Sequence, residues 1–382
     1  MARTPRGDRV SAIAAGAVVV DGRIHRPGWV QIAGAQILAA GGGTPPHPAD
    51  RTFPGGTVVP GFVDMHVHGG GGASYTDGPA ADRAAAFHLT RGTTTTLASL
   101  VTAAPVDLIA RVRALADATA RRTVAGIHLE GPWLSRARCG AHDPALMRDP
   151  DPDEVDAVLA AGAGAIKMVT LAPELPGADR AIRRFLDAGV VVAVGHTDAT
   201  YEQTRRAVSL GATVATHLFN AMPGLHHRDP GPALALLRDP RVTVELIADG
   251  VHLHPEVVTA VIDAAGPDRV ALVTDATAAA GRPDGTFRLG AVDVDVVAGV
   301  ARVRGTSTIA GSTATMDRLF AAVAASAGPA AAVQVTATTP ARALGLRRVG
   351  ALRPGYDANL VVLDHDWSVV AVLRRGDWAV GG

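Results

Sequence analysis

The stretch GFVDMHVH, residues 61–68, ends an apolar run on two histidines one residue apart. In an extended strand, side chains at i and i+2 share a face, so His66 and His68 project together. Four glycines follow, Gly69 to Gly72, and let backbone come close to whatever the histidines hold. Four more apolar runs close in the same way. TVAGIHLE ends on Glu130, GVVVAVGH on His196, ATVATH on His217 and RVALVTD on Asp275. If these runs are parallel strands of one barrel, their C-terminal ends meet on one rim, where barrel active sites lie.

The spacing supports that barrel. Apolar strand candidates recur at roughly 61–68, 93–100, 123–130, 164–171, 189–196, 212–217, 241–248 and 269–275. Helix-length stretches lie between most of them, such as ADRAAAFHLTRG from Ala81 and DLIARVRALADATA from Asp107. Strands alternating with helices predict a (β/α)8, TIM-like barrel over residues 59–344. An open doubly wound sheet is the rival, but no GxGxxG follows a first strand. Residues 281–306 interrupt the rhythm and predict a β-hairpin insertion. Residues 1–58 and 345–382 alternate apolar and polar residues over short runs, with Asp21-Gly22 as a hairpin signal. Both chain ends are therefore expected to form one small β-sandwich domain.

Composition narrows the function classes. Lys and Arg total 36 and so do Asp and Glu, a formal net charge of zero, so no nucleic-acid or membrane surface is expected. Cys139 is the single cysteine, which rules out an intrachain disulfide. The N-terminus lacks a signal-peptide pattern and no run is long enough to span a bilayer, so a cytoplasmic protein is expected.

Imidazole and carboxylate groups converging on one point suit a first-row transition metal, with zinc the first choice and iron or another divalent ion fitting the same ligands. The metal ligands expected are His66, His68, Glu130, His196, His217 and Asp275. Asp275, beside an activated water, is also the expected general base and then acid. His128 shares a face with Glu130, but a hydrogen-bonded barrel histidine is the simpler role for it.

The ordered motifs PGFVDMHVHG, HLEGP, GHTDATY, ATHLFNAM and IADGVH resemble the amidohydrolase superfamily, and within it the N-acetylglucosamine-6-phosphate deacetylases. The shared motifs run from Pro60 to about Gly311. The resemblance implies hydrolysis of N-acetylglucosamine 6-phosphate to glucosamine 6-phosphate and acetate, in amino-sugar catabolism and cell-wall recycling. It implies that Asn220 and the Ala221 backbone hold the phosphate and that Arg228 pairs with it, reaching in from a partner subunit of a homodimer. It places Asp249 and His252 at the sugar phosphate, Ala141 and His142 at the acetyl group with His142 catalytic, and Ile309, Ala310 and Gly311 against the substrate. One or two metals fit. Lys167, the only lysine, lies inside its run and not at the end, so Glu130 is the expected bridge in a binuclear site. Another amidohydrolase reaction, by a deaminase or cyclic-amide hydrolase, and a non-catalytic scaffold are the alternatives.

Overall fold

The computed structural model describes residues 10–381. The first nine residues, where no leader peptide was expected, lie outside them. Eight parallel strands form one sheet: β1 (Phe62–Asp64), β2 (Thr93–Val101), β3 (Gly126–Glu130), β4 (Ile166–Leu171), β5 (Val191–Val194), β6 (Val214–Ala215), β7 (Thr243–Leu246) and β8 (Val270–Leu272). Each strand pairs with its neighbour in chain order. Helices separate most of them, including Ala81–Thr90, Pro105–Ala120, Ala178–Asp187 and Tyr201–Leu210. The last carries a capping box between Thr200 and Gln203, which satisfies two N-terminal donors at once. The strands are buried on both faces, as the continuous apolar runs require.

The observed strands are shorter than the apolar runs. Among the six expected ligands only Glu130 is itself a strand residue; the others lie two or more positions beyond a strand end. His66 and His68 still converge, but through the turn after β1 and not through a shared strand face.

The ends of the sheet, β1 and β8, meet just past their last residues. The Thr274 hydroxyl donates to Asp64 Oδ2 at 2.6 Å. The backbone of Asp275 donates to His66 O at 2.9 Å, and that of His68 to Ala276 O at 2.8 Å. Asp64 is fully buried, and burial pushes its carboxyl up to about 7 against the pull of hydrogen bonds from the Thr274 hydroxyl and the Thr274 and His66 N–H groups. The seam of the barrel thus runs through the residues that carry the histidine pair.

The insertion forms an antiparallel three-stranded sheet, Gly285–Leu289, Val292–Val297 and Val300–Val303. Its inner face packs Leu289, Val294, Val296 and Ala301 with Val101 and Ala310.

The chain divides into two compact units. One comprises Asp64–Phe87 and Thr96–Thr315; the other holds the described residues up to Val63, His88–Thr95 and those from Met316 onward. These joins differ from the 58/59 and 344/345 boundaries read from sequence. Phe62 stacks on Phe320 with centroids 5.3 Å apart, and Phe320 on Trp367 at 5.6 Å, so the helix Met316–Ala327 groups with the terminal strands. Those strands form one eight-stranded mixed sheet in which Val10–Val20 runs parallel to Arg51–Pro60. An isolated bridge between Gln36 and Asp357 curls the sheet back on itself, around a core that includes Val30, Ile37, Val58, Leu360 and Val362. Asp21 and Gly22 both take positive φ in the two-residue turn that joins Val20 to Arg23, the expected primed hairpin.

The seam makes a testable demand. Thr274→Val should strand the buried Asp64 oxygen and destabilise the protein by about 1.5–3 kcal/mol, the range for a hydrogen bond to a charged or buried acceptor. A thermal midpoint unchanged from wild type would show that the Asp64–Thr274 bond does not hold the seam.

Candidate metal centre

One carboxylate sits at the middle of the site. Glu130 Oε1 lies 3.1 Å from His196 Nε2, 3.1 Å from His217 Nε2 and 3.3 Å from His66 Nε2. Its Oε2 lies 3.2 Å from both His68 Nε2 and His142 Nε2. Asp275 Oδ1 completes the cluster, 3.1 Å from His68 Nε2 and 3.6 Å from His66 Nε2. All seven side chains are buried. Two sets of donor atoms lie close enough together to hold an ion, His66/His68/Asp275 and Glu130/His142/His196.

The backbone that delivers these groups is itself unusual. His196, His217 and Asp275 take φ of 46°, 26° and 49°. A left-handed residue other than glycine costs on the order of 1–3 kcal/mol and persists only where its surroundings fix it. Here they do. Ser135 N–H donates to His196 O, Leu218 N–H to Glu245 O and Ser312 N–H to Asp275 O. The turn after each strand therefore aims a side chain inward across the barrel mouth.

The far nitrogens fix the tautomers. His196 Nδ1 lies 2.9 Å from the Arg138 carbonyl, which only accepts, so Nδ1 carries the proton and Nε2 is bare. His66 Nδ1 lies 3.2 Å from Glu245 Oε2, so Nδ1 carries a proton there too and Nε2 is the nitrogen turned to the cluster. His142 is the opposite case. The Thr102 N–H donates to its Nδ1 at 3.2 Å, so its Nε2 carries the proton and donates toward Glu130. The bare His196 Nε2 faces a carboxylate oxygen at 3.1 Å, and His196 and His217 Nε2 stand 3.1 Å apart. Donor atoms around a four-coordinate ion with bonds of 2.0–2.1 Å are about 3.3 Å apart, so the set fits a divalent metal.

Electrostatics agree with that fit. Burial disfavours charge at every group, yet Glu130 and Asp275 hold His66 well above its usual range. Against the same burial, hydrogen bonds from the His68 ring to Asp275 and Glu130 lift His68 to about 9. Burial would raise Asp275, but the charge of His66 and the His68 hydrogen bond hold it at about 2. Protons on imidazoles supply here the positive charge that a metal would supply. Burial drives His142 down to about 4, so it is neutral at pH 7. His128 is also pushed low, by burial and then by His66, and is not a ligand. Ser99 Oγ and Thr170 Oγ1 occupy its two nitrogens at 2.9 and 2.8 Å.

The cluster forms the floor of a cavity of about 280 Å³. Ala141, His142, Asn220, Ala221, His252, Ile309 and Gly311 line it, and Ala310 does not. Asp249 stands behind His252, accepting from its Nδ1 at 2.8 Å. Arg228 is exposed, donates to His227 Nε2 at 2.8 Å and does not line the cavity. His254 caps the helix Pro255–Ala265. Lys167 Nζ reaches Gly164 O at 3.0 Å and takes no part in the site.

A model of the amidohydrolase family matches residues 57–379, most of the chain. The chain belongs to the amidohydrolase family. Its relatives include an N-acetylgalactosamine-6-phosphate deacetylase of Escherichia coli O157:H7, 37% identical over 84% of this chain and 87% of that protein. An N-acetylglucosamine-6-phosphate deacetylase of Danio rerio is 38% identical over 80% of each. Among solved structures, a variant of the N-acetyl-D-glucosamine-6-phosphate deacetylase of Mycobacterium smegmatis, in complex with N-acetyl-D-glucosamine 6-phosphate, superposes with a TM-score of 0.95. It is 52% identical and covers 97% of this chain and 99% of that one. An enamidase at 15% identity, TM-score 0.62, shares the fold.

Several residues of this amidohydrolase's site escape a reading of motifs alone. Glu245 is the only charged residue in the run VTVELIA, a signal for a buried partner. Leu289, from the insertion, and Ser307 and Thr308, which follow it, line the cavity with no motif of their own. Gly140 has φ +56°, and an added Cβ would lie 3.0 Å from His196 Cε1. Gly140→Ala should therefore displace the His196 ring and lower kcat by about ten- to a hundredfold, as small misplacements in a catalytic site do. Wild-type kcat in this variant would show that the contact is not tight.

Proposed function

We propose that this amidohydrolase removes the acetyl group of N-acetylglucosamine 6-phosphate, releasing glucosamine 6-phosphate and acetate. The observation that carries the proposal is the opposed pair on the cavity floor. His142 presents an N–H and Asp275 a bare carboxylate across the Glu130 cluster. A divalent metal, zinc first, would supply a Lewis acid that polarises the acetamide carbonyl and makes water nucleophilic near neutral pH.

The residues do the rest. Glu130, His196 and His217 would hold one ion. His66, His68 and Asp275 would hold a second, with Glu130 shared between them. His142 Nε2–H, kept neutral and in one tautomer, donates to the carbonyl oxygen as negative charge develops there. Asp275 accepts a proton from the attacking water and delivers it to the departing nitrogen. The C–N bond breaks, and the amine leaves with the proton that Asp275 carried. At the outer end of the cavity Asn220 and the Ala221 N–H would receive the phosphate.

Arg228 supports a homodimer, because it does not line its own cavity and the chain exposes apolar residues such as Leu225 and Val251. A second copy would cover them and take the arginine to its phosphate, where a planar fork matches the oxygens. A phosphorylated sugar does not leave the cytoplasm unaided, which is where this reading puts the enzyme. No helix among the described residues is long and apolar enough to cross a membrane.

Acetate release should be measured on N-acetylglucosamine 6-phosphate, on its 4-epimer and on the sugar without phosphate. The phosphorylated glucose isomer should have the highest kcat/KM, and equal rates with and without phosphate would overturn the substrate assignment. Asp275→Asn should lower kcat by at least about a thousandfold while a metal stays bound at Glu130, His196 and His217. Near-normal turnover would remove Asp275 from the proton path. Arg228→Ala should raise KM for the phosphorylated substrate, leave that for the unphosphorylated sugar unchanged, and leave a dimer in sedimentation.

A further inference from the structure

Glu245 is a buried carboxylate for which the mechanism above has no use. It lies in β7, with no exposed surface. Oε2 lies 3.2 Å from His66 Nδ1 and also accepts from the His217 backbone N–H at 3.2 Å. Oε1 is buried with no hydrogen-bond partner among the described residues. A carboxylate in that position is destabilising unless a cationic group faces it. The imidazole it touches is that of His66.

No other acceptor is placed to do the same work. Asp64, the nearest buried carboxylate in sequence, bonds the Thr274 side chain and backbone and the His66 N–H, not the ring. The His128 ring stands edge-on to His66 at 4.5 Å between centroids, but hydroxyls occupy both its nitrogens. His68 and His217, by contrast, have buried Nδ1 atoms with no hydrogen-bond partner among the described residues, so no acceptor behind the ring holds a proton there.

We propose that Glu245 is a positioning residue that makes His66 a metal ligand. By holding the ring proton on Nδ1, its carboxylate turns a bare Nε2 toward His68 and Asp275 and so creates the second metal position. The proposal rests on the metal-dependent reading of the site. It goes beyond that reading by naming what separates a one-metal from a two-metal site in this chain. A carboxylate behind a ligating histidine fixes the ring and raises its basicity, and loss of such a partner weakens metal binding about 10- to 100-fold.

The test uses the full chain, stripped of metal and titrated with Zn²⁺ by equilibrium dialysis with metal analysis. Wild type should bind two equivalents. Glu245→Gln keeps an oxygen at both contacts but removes the charge. It should weaken the second equivalent about tenfold or more and leave the first unchanged. Glu245→Leu removes the acceptor and should bind one equivalent. If the leucine variant does not fold, the glutamine variant decides alone. Two equivalents bound by Glu245→Gln with wild-type affinities would overturn the proposal. So would equal weakening of both, which marks a general structural role. A wild-type chain that binds one equivalent overturns the proposal and leaves a metal-dependent hydrolase standing; one that binds none overturns both.

Discussion

A carboxylate with both oxygens buried among imidazoles is the constraint on which this structure turns. Glu130 ends β3 and is hydrogen-bonded or ion-paired to five histidines drawn from four other segments. A charge so far from water is tolerated only where opposite charge surrounds it. The barrel is a means of bringing that charge in from turns that follow separate strands. The left-handed backbone at His196, His217 and Asp275 is the strain that accompanies it.

The same imidazoles are not equivalent, and the difference lies one layer out. A carbonyl behind His196 and a carboxylate behind His66 hold a proton on Nδ1 and turn Nε2 to the centre, whereas an N–H behind His142 puts the proton on Nε2. What stands at the far nitrogen thus decides which ring nitrogen carries the proton. The residue type is identical in all three, which is why a motif cannot tell them apart.

That also marks how much the sequence discloses. The βα rhythm, the hairpin insertion and the terminal strands are legible because periodicity and turn chemistry are local. The six strand-end residues are legible because a charged or imidazole side chain closing an apolar run needs a partner. The strand ends themselves are misjudged, since an apolar run continues through the turn while the backbone leaves the ladder. Thr102 and Leu289 reach the site from segments that carry no signal, one through a backbone N–H and one through an inserted sheet. The helix Met316–Ala327 groups with the terminal strands through Phe62, Phe320 and Trp367, contacts between residues distant in the chain.

The seam has a consequence for how the molecule is made. Asp64 and Thr274 are 210 positions apart, so the loop they close is the last that the eight-stranded parallel sheet can close as the chain grows. Glu130, His196 and His217 stand on β3 and beyond β5 and β6, and can meet while β8 is still emerging. His66, His68 and Asp275 cannot. A chain that stalls, or closes out of register, would offer an ion only half of the full donor set. Only a closed barrel therefore brings both halves of the donor set together.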